Sequence, residues 1–525
     1  MCIVPPLERL ASAGAVFLGQ HGDVTRHAQQ RGLSRQCLYR QADSALRDLD
    51  PTPHQQQLAL LHQQLSQLQQ GLQALQDAQC RCVRLSADLQ AQFAATAQAE
   101  GVSLPVARRL LAIFLGGEKT PSVAQLGRFS RRAALRAGAL LEVFDEQARP
   151  RVRQAAADEI FFGRKPVLMV VEPESQCWLS GRLSPSRDAQ QWAKELGSLP
   201  NLEHLVRDAA MGIQNGLGLV NARRQEEGRR AAVRDQLDHF HTLREGRRAL
   251  RKTQAKAERA WSAAEEADKK QRRQRRRMKA ETGYATQAVL AWRRAEQAFH
   301  RWESDEAALE QIRLALQPFT PEGELNSRER AEQSVSGLSQ RLSGEHWDKF
   351  ERMLGRPQSY TYLDRLHAKV EALPVSAEVR EAVVQGEGIR QNPELVTGEG
   401  EKQGVMRGLL LVCGVLIASA GQSGQQAVGA LRRALLCVGR ASSCVEGLNS
   451  VVRMQQSRHR KVSQELLDLK RLYWNLRQFR TGRRKKTSPY QRLGVLLPPD
   501  LSWWQLLQLN PDQLRSHLSA LPTPS

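Results

Sequence analysis

The period of the hydrophobic positions changes several times along the 525-residue chain. The first period is helical. Residues 22–46 carry Ala28-x3-Gly32-Leu33-Ser34-x3-Leu38-x-Arg40. A small residue on one helix and a glycine at the turn let two helices cross closely. Ser34 is placed to cap the second helix, and Leu38 faces back toward the first. This is the helix-turn-helix pattern, and it turns Arg35, Gln36, Tyr39 and Arg40 outward, toward a major groove. Residues 54–79 follow, with Leu58, Leu61, Leu65, Leu68, Leu72 and Leu75 on a heptad seam of about three repeats. So short a seam needs a partner helix, from a second chain or from within this one.

Residues 101–147 read as another compact helical unit. An apolar helix at 110–115 gives way to Thr120-Pro121-Ser122, where Thr120 or Ser122 can cap a new helix and Pro121 suits its first turn. Residues 122–144 fit a second helix-turn-helix or an ordinary bundle. The period then drops to two. Segments 155–162, 166–172 and 177–183 are short, apolar and divided by polar turns, which predicts a three-stranded antiparallel meander. A helix at 186–196, a buried strand at 202–206 ending at Arg207-Asp208, a further helix and a last strand at 236–241 complete one α/β unit.

Beyond residue 247 the pattern is helical, charged and tryptophan-bearing. Residues 406–438 form an apolar helix. Its most apolar stretch, 409–420, is too short to span a bilayer and reads as buried. The predicted fold is therefore multidomain and mainly α, with one α/β domain and a large all-helical insertion. The expected organisation is a helix-turn-helix domain over 1–53 and a Gln/Leu-rich coiled-coil segment over 54–100. A second helical module covers 101–150 and the first part of the α/β domain 151–246. The helical insertion spans 247–437, the second part of the α/β domain 438–497, and a tail 498–525.

Composition excludes a disordered chain, a collagen and a small disulfide scaffold, since 41% of residues are hydrophobic and 25% charged. The net charge of +22 favours a polyanionic partner. That charge lies in two blocks: residues 223–301 hold 23 Lys and Arg against 11 acids, and residues 451–490 hold 12 against 2. The remainder is roughly neutral. Concentrated charge of this kind suits phosphates, which lysine and arginine neutralise with release of counterions. The eight cysteines form no repeated Cys-x2-Cys pairs; Cys80 and Cys82 lack a second ligand pair, and reduced thiols are expected. With no signal peptide visible at the first residues, the expected location is cytoplasmic, at the nucleoid, with no membrane.

Two acids stand where chemistry needs them. Asp158 lies in the first strand and Asp208 at the end of the fourth, and these strands neighbour each other in such a sheet. Glu446 supplies a third carboxylate. On a helix Glu446, Asn449 or Ser450, and Arg453 share a face, and Arg453 suits a phosphate. Two aspartates and a glutamate can hold two hard cations through oxygen. One then activates an attacking oxygen and the other stabilises the leaving one. Glu159 follows Asp158 directly. Strand alternation admits only one of them, and Asp158 is the choice here.

Three stretches carry a family likeness. The first is Ala157-Asp158-Glu159-Ile160 with Lys165-Pro166-Val167-Leu168 and Glu172-Pro173-Glu174-Ser175. The second is Val206-Arg207-Asp208-Ala209-Ala210 with Gly212 and Leu237-Asp238-His239-Phe240-His241. The third is Ser442-Ser443-x2-Glu446-x2-Asn449-x3-Arg453, continued by Tyr473-Trp474-Asn475-Leu476-Arg477-x2-Arg480 and Ser488-Pro489-Tyr490-x2-Leu493-Gly494. Over residues 155–497 the chain resembles the DDE transposases of bacterial insertion sequences. The resemblance implies an RNase H-like catalytic domain, with Asp158, Asp208 and Glu446 as catalytic and metal-binding residues. It implies two Mg²⁺ per site, replaceable by Mn²⁺, and double-stranded DNA as partner, both element ends and target. A homodimer or higher assembly on paired ends follows. Arg35, Gln36, Tyr39, Arg40, Asn449, Arg453 and the basic loop Arg483, Arg484, Lys485 and Lys486 are the expected DNA contacts. Trp261, Trp292 and Trp302 read as helix core or as stacking partners for a base. His239 and His241 read as packing or phosphate-contacting residues rather than ligands.

Overall fold

The computed structural model of the chain describes residues 4–81, 85–115, 120–228, 231–278, 282–342, 344–440, 442–456 and 462–521. They fall into two compact units, Met1–Leu85 with Leu111–Thr120, and Ser86–Leu110 with Pro121–Ser525. Most described residues are helical, and one mixed five-stranded sheet lies in the second unit.

The first unit begins with α1 (Pro6–Phe17), α2 (Asp23–Arg31), α3 (Arg35–Leu49) and α4 (Pro51–Arg81). Gly32 ends α2 at φ 64°, a conformation that costs a residue without Cβ little. Ser34 then caps α3 by accepting the Cys37 N–H. Leu38 and Ala42 are buried, and Ser12 Oγ donates to Gln41 Oε1 at 2.7 Å, tying α1 to α3. The six seam leucines of α4 are each more than half exposed. No described helix covers them, so the intramolecular partner is not found among the described residues. Cys82 and the side chain of Cys80 lie outside those residues.

The second unit adds α5 (Ala87–Ala99), α6 (Leu104–Leu115), along which the chain passes between the units, and α7 (Val123–Ala148). The sheet follows: β1 (Gln154–Phe162), β2 (Lys165–Glu172), β3 (Cys177–Leu183), α8 (Ala189–Gly197), β4 (His204–Arg207), α9 (Met211–Glu226) and β5 (Arg234–Leu237). Strand order is β3-β2-β1-β4-β5. The pairs β1–β2 and β2–β3 are antiparallel, and β1–β4 and β4–β5 are parallel.

Several expectations need correction. Residues 122–144 are no second helix-turn-helix, because α7 is one unbroken helix of 26 residues, capped by Ser122. Its Leu140, Leu141 and Phe144 pack in one core with Ala155, Leu168 and Val170 of the sheet. Helix α7 of the expected 101–150 module therefore shares the core of the α/β unit, while Leu111–Thr120 fall in the first unit. The last strand stops at Leu237, and His239 and His241 belong to a helix.

Residues 247–437 are helical, as α10 (His239–Arg276), α11 (Thr282–Ala315), α12 (Arg328–Ser339), α13 (Asp348–Leu354), α14 (Thr361–Glu371), α15 (Ala377–Gln391), α16 (Glu401–Ala418) and α17 (Gly421–Leu436). They hold two cores of their own, one around Ile312, Trp347 and Tyr362, the other around Val383, Cys413 and Leu431. Trp261 meets Trp292 and Phe299 edge-on, and Phe299 meets Trp302, so the tryptophans pack on one another within the α10–α11 hairpin. The 409–420 stretch is not a buried helix: only Cys413 and Ile417 of α16 are buried, while Leu411, Val412 and Val415 are more than half exposed. Gly421, at φ 68°, divides 406–438 into two helices. No described helix is long and apolar enough to cross a membrane.

The chain closes with α18 (Ser443–Gln456), α19 (Gln464–Leu476), α20 (Pro489–Arg492), α21 (Trp503–Gln508) and α22 (Pro511–Ser519). Val445, Leu448 and Val452 of α18 cover one face of the sheet, against Ala156, Ile160 and Val206. Helices α7, α8, α9 and α19 cover the other. The 498–521 stretch joins that second core through Trp504, Leu507 and Leu514.

Candidate active site

Strand register sets the acids side by side. Ala157 of β1 pairs with Arg207 of β4, so Asp158 and Asp208 are next in line on neighbouring parallel strands. Alternation then separates Asp158 from Glu159. Asp158 shares the parity of Ala156 and Ile160 and points to α18, where Asn449 Nδ2 donates to its Oδ2 at 2.6 Å. Glu159 points to the other face. Trp192 Nε1 donates to its Oε1 at 2.9 Å, and Arg187 lies at 3.4 Å from its Oε2. Helix α9 packs tightly under this face: a Cβ at Gly212 would stand 2.0 Å from the Arg187 carbonyl oxygen.

Glu446 is placed from a distance by a residue absent from the predicted site. Asp238 is fully buried after β5. Its Oδ1 accepts the Phe240 N–H at 2.6 Å and caps α10. Its Oδ2 accepts the Ser442 N–H at 3.0 Å and the Ser442 hydroxyl. One carboxylate thus ties the first turn of α10 to the start of α18. The result sets His241 Nε2 3.0 Å from Glu446 Oε1. Ligand atoms of Asp158, His241 and Glu446 all lie within 4.8 Å of one another. Asp208 lines the same cleft, of about 470 Å³, but stands outside that group and accepts the Ala210 N–H at 2.9 Å. His239 packs edge-on against Tyr362, donates from Nε2 to the Ser359 carbonyl at 2.8 Å, and is pushed down to about 4 by burial.

Burial, then the charges of Asp208 and Glu446, raise the Asp158 carboxyl to about 7, although the Glu159 N–H it accepts pulls the other way. Arg453 reaches Glu446 only at 4.0 Å. Arg187, Arg244 and Lys349 line the rim of the same cleft. The donor set fits a divalent cation: two carboxylates suit a hard ion, while the imidazole suits Mn²⁺ better than Mg²⁺.

The remaining predicted contacts scatter. Arg35, Gln36, Tyr39 and Arg40 are all exposed on α3. Asn449 is corrected: it is fully buried behind Asp158, where DNA does not reach. Lys485 and Lys486 are exposed, Arg484 lies over the Phe479 ring at 5.8 Å, and the side chain of Arg483 falls outside the described residues. None of these loop residues lines the acid cleft among the described residues. The reading of 236–241 as strand hid both Asp238 and His241. The signal available was an Asp directly before a helical run, the ordinary mark of a cap.

No family model, no curated protein and no solved structure matches the chain.

Proposed function

We propose that the chain is a DNA transposase with an RNase H-like catalytic core. It binds the terminal inverted repeats of a mobile element, nicks each end by metal-dependent hydrolysis and joins the freed 3′-hydroxyl to target DNA. The observation that carries this reading is the gathering of Asp158, Asp208 and Glu446, from three separate parts of the chain, around one cleft where the parallel pairing of β1 with β4 ends. Three antiparallel strands followed by two parallel ones, with helices between, agree with the fold that the resemblance implies.

Asp158, Glu446 and His241 would hold a divalent cation, with Asp208 beside them for a second. Such ions activate the attacking oxygen and stabilise the leaving one. The chain's own residues do the rest. Asn449 orients the Asp158 carboxylate, and Asp238 holds α18 and α10 in register. Arg187, Arg244, Lys349 and Arg453 grip phosphates along the cleft. In the first unit, α2 and α3 form the helix-turn-helix, and the exposed α4 seam pairs two copies on two ends.

The test is nicking of a supercoiled plasmid that carries the gene with its flanking DNA, in Mg²⁺ or Mn²⁺. Asp158→Asn and Glu446→Gln are expected to bind the ends and not cut. If both cut like wild type, the catalytic assignment is wrong. A wild type that binds but never cuts would instead leave a dimeric helix-turn-helix regulator, which the first unit alone supports.

A further inference from the structure

The opposite ends of the same strands hold a second cleft, of about 610 Å³, between the sheet and α14. Register explains its floor. His204 opens β4 and pairs with Gln154 of β1 on one side and Arg234 of β5 on the other. Arg365 of α14 crosses above, donating to Gln154 Oε1 at 3.2 Å and to the Gly439 carbonyl at 3.1 Å. Lys369 follows one helical turn later on α14 and lines the same cleft.

This lining holds five Arg and Lys side chains against one carboxylate. Glu203 is the carboxylate of the lining residues, and it pairs with Arg153. Arg224 is spent on the carbonyls of Leu199, Pro200 and Leu202. Arg234, Arg365 and Lys369 therefore face one another. Burial, then Arg234, lowers Arg365 to about 10, and burial, then Arg365, lowers Lys369 against the opposing pull of Glu174 and Glu203. His204 is 3% exposed, and neither ring nitrogen has a partner. A buried polar group without a partner is costly, so it is an ordinary feature of a site awaiting a ligand and an unusual one of a core. The other walls are small and apolar, from Ala231, Ala368 and Ala372.

We propose that this cleft is a second binding site, taking a nucleoside monophosphate with its phosphate on Arg234, Arg365 and Lys369 and a hydrogen bond from His204. Its volume lies within the range of small-molecule sites and exceeds what a bare phosphate needs. The nucleotide has two possible sources, a free nucleotide or the phosphorylated end of a DNA strand, which offer the same group.

The experiment is calorimetric titration of the full-length chain with AMP, with inorganic phosphate and with a 5′-phosphorylated tetranucleotide. Binding of AMP at least as tight as the tetranucleotide assigns the free nucleotide. Binding of the tetranucleotide alone assigns a strand end. Arg234→Gln and Lys369→Gln, both on exposed residues, should each weaken either ligand about tenfold, as loss of a charge-assisted contact does. His204→Leu should weaken binding while leaving the ligand-free chain as stable or more so. A cooperative thermal melt and an unchanged far-UV circular dichroism spectrum of each variant, both without metal, show an intact fold and keep this result separate from the fate of the catalytic reading. The proposal is overturned if neither AMP nor the tetranucleotide binds, if phosphate alone binds as tightly as both, or if the variants bind like wild type.

Discussion

Strands β1, β4 and β5 carry opposite charge at their two ends, and the contrast is instructive because the strands are the same. Asp158, Asp208 and Glu446 gather at one end, His204, Arg234 and Arg365 at the other. Four residues of β4 separate them, about 13 Å of strand. Between the two ends Arg207, 1% exposed, is paired by Asp235 through two hydrogen bonds of 2.8 and 2.6 Å. That buried pair is complete within the chain. The two ends are not. Asp158 is pushed up to about 7 and His204 down to about 2, each by burial first and like charge second. Unrelieved like charge is a cost to folding, and each end would be relieved by a ligand of the opposite sign.

The largest expected effect breaks the acid end. Asp158→Asn or Glu446→Gln should lower nicking by at least about a thousandfold, measured in Mn²⁺ with end binding as the control. The next concerns stability without metal. The Asp158 carboxyl is held above its ordinary 3.8, so its contribution to stability is full at low pH and lost as pH rises from about 4 through about 7. Denaturation in EDTA should show the wild type losing on the order of 2–3 kcal/mol from this group between pH 5 and pH 8. Asp158→Asn should remove that loss, and Mn²⁺ should raise the melting temperature of the wild type but not of the variant.

Asp238→Ala removes no ligand. It should still cost about 2–4 kcal/mol through the lost α10 cap and the lost Ser442 contacts, and lower the Mn²⁺ affinity, because Glu446 and His241 lose their common anchor. A fall in stability with unchanged affinity would show that α18 is placed by its apolar face alone. His241→Ala should weaken Mn²⁺ roughly tenfold and Mg²⁺ less, by titration. The smallest effect sharpens the contrast between neighbours. Glu159→Gln should leave Mn²⁺ affinity within about twofold, while weakening the Trp192 contact by about 1 kcal/mol.

Much of the acid end was legible in the residues. Asp158 and Asp208 follow from strand period and strand ends, and Glu446 from a helical face shared with Asn449. Asn449 itself was misplaced, since a helical wheel shows which residues share a face and not which of them the sheet will cover. His241 was set aside because the run 236–241 was read as strand. The cap at Asp238 ends that strand early, and a buried carboxylate that reaches Ser442 across some two hundred residues leaves no local trace. The second helix-turn-helix failed for a related reason: glycines inside α7 resemble turns until the apolar stripe around them is seen to pack continuously on the sheet. The cationic end was not legible at all. His204, Arg234 and Arg365 come from β4, β5 and α14, and none stands in a motif.

Period and local chemistry by themselves determined the helical N-terminus with its Gly32 turn and Ser34 cap, the antiparallel meander, the helical run of 247–437 and the two basic blocks. These depend on interactions within a turn or two of chain, which sequence spacing encodes directly. Tertiary structure alone decided that Asp158 rather than Glu159 faces Glu446, that His241 joins them, that α16 leaves apolar side chains exposed, and that a cationic cleft lies at the far end of the same strands. Each of those outcomes depends on which distant element covers a given face. Burial and the balance of charge are properties of that assembled neighbourhood.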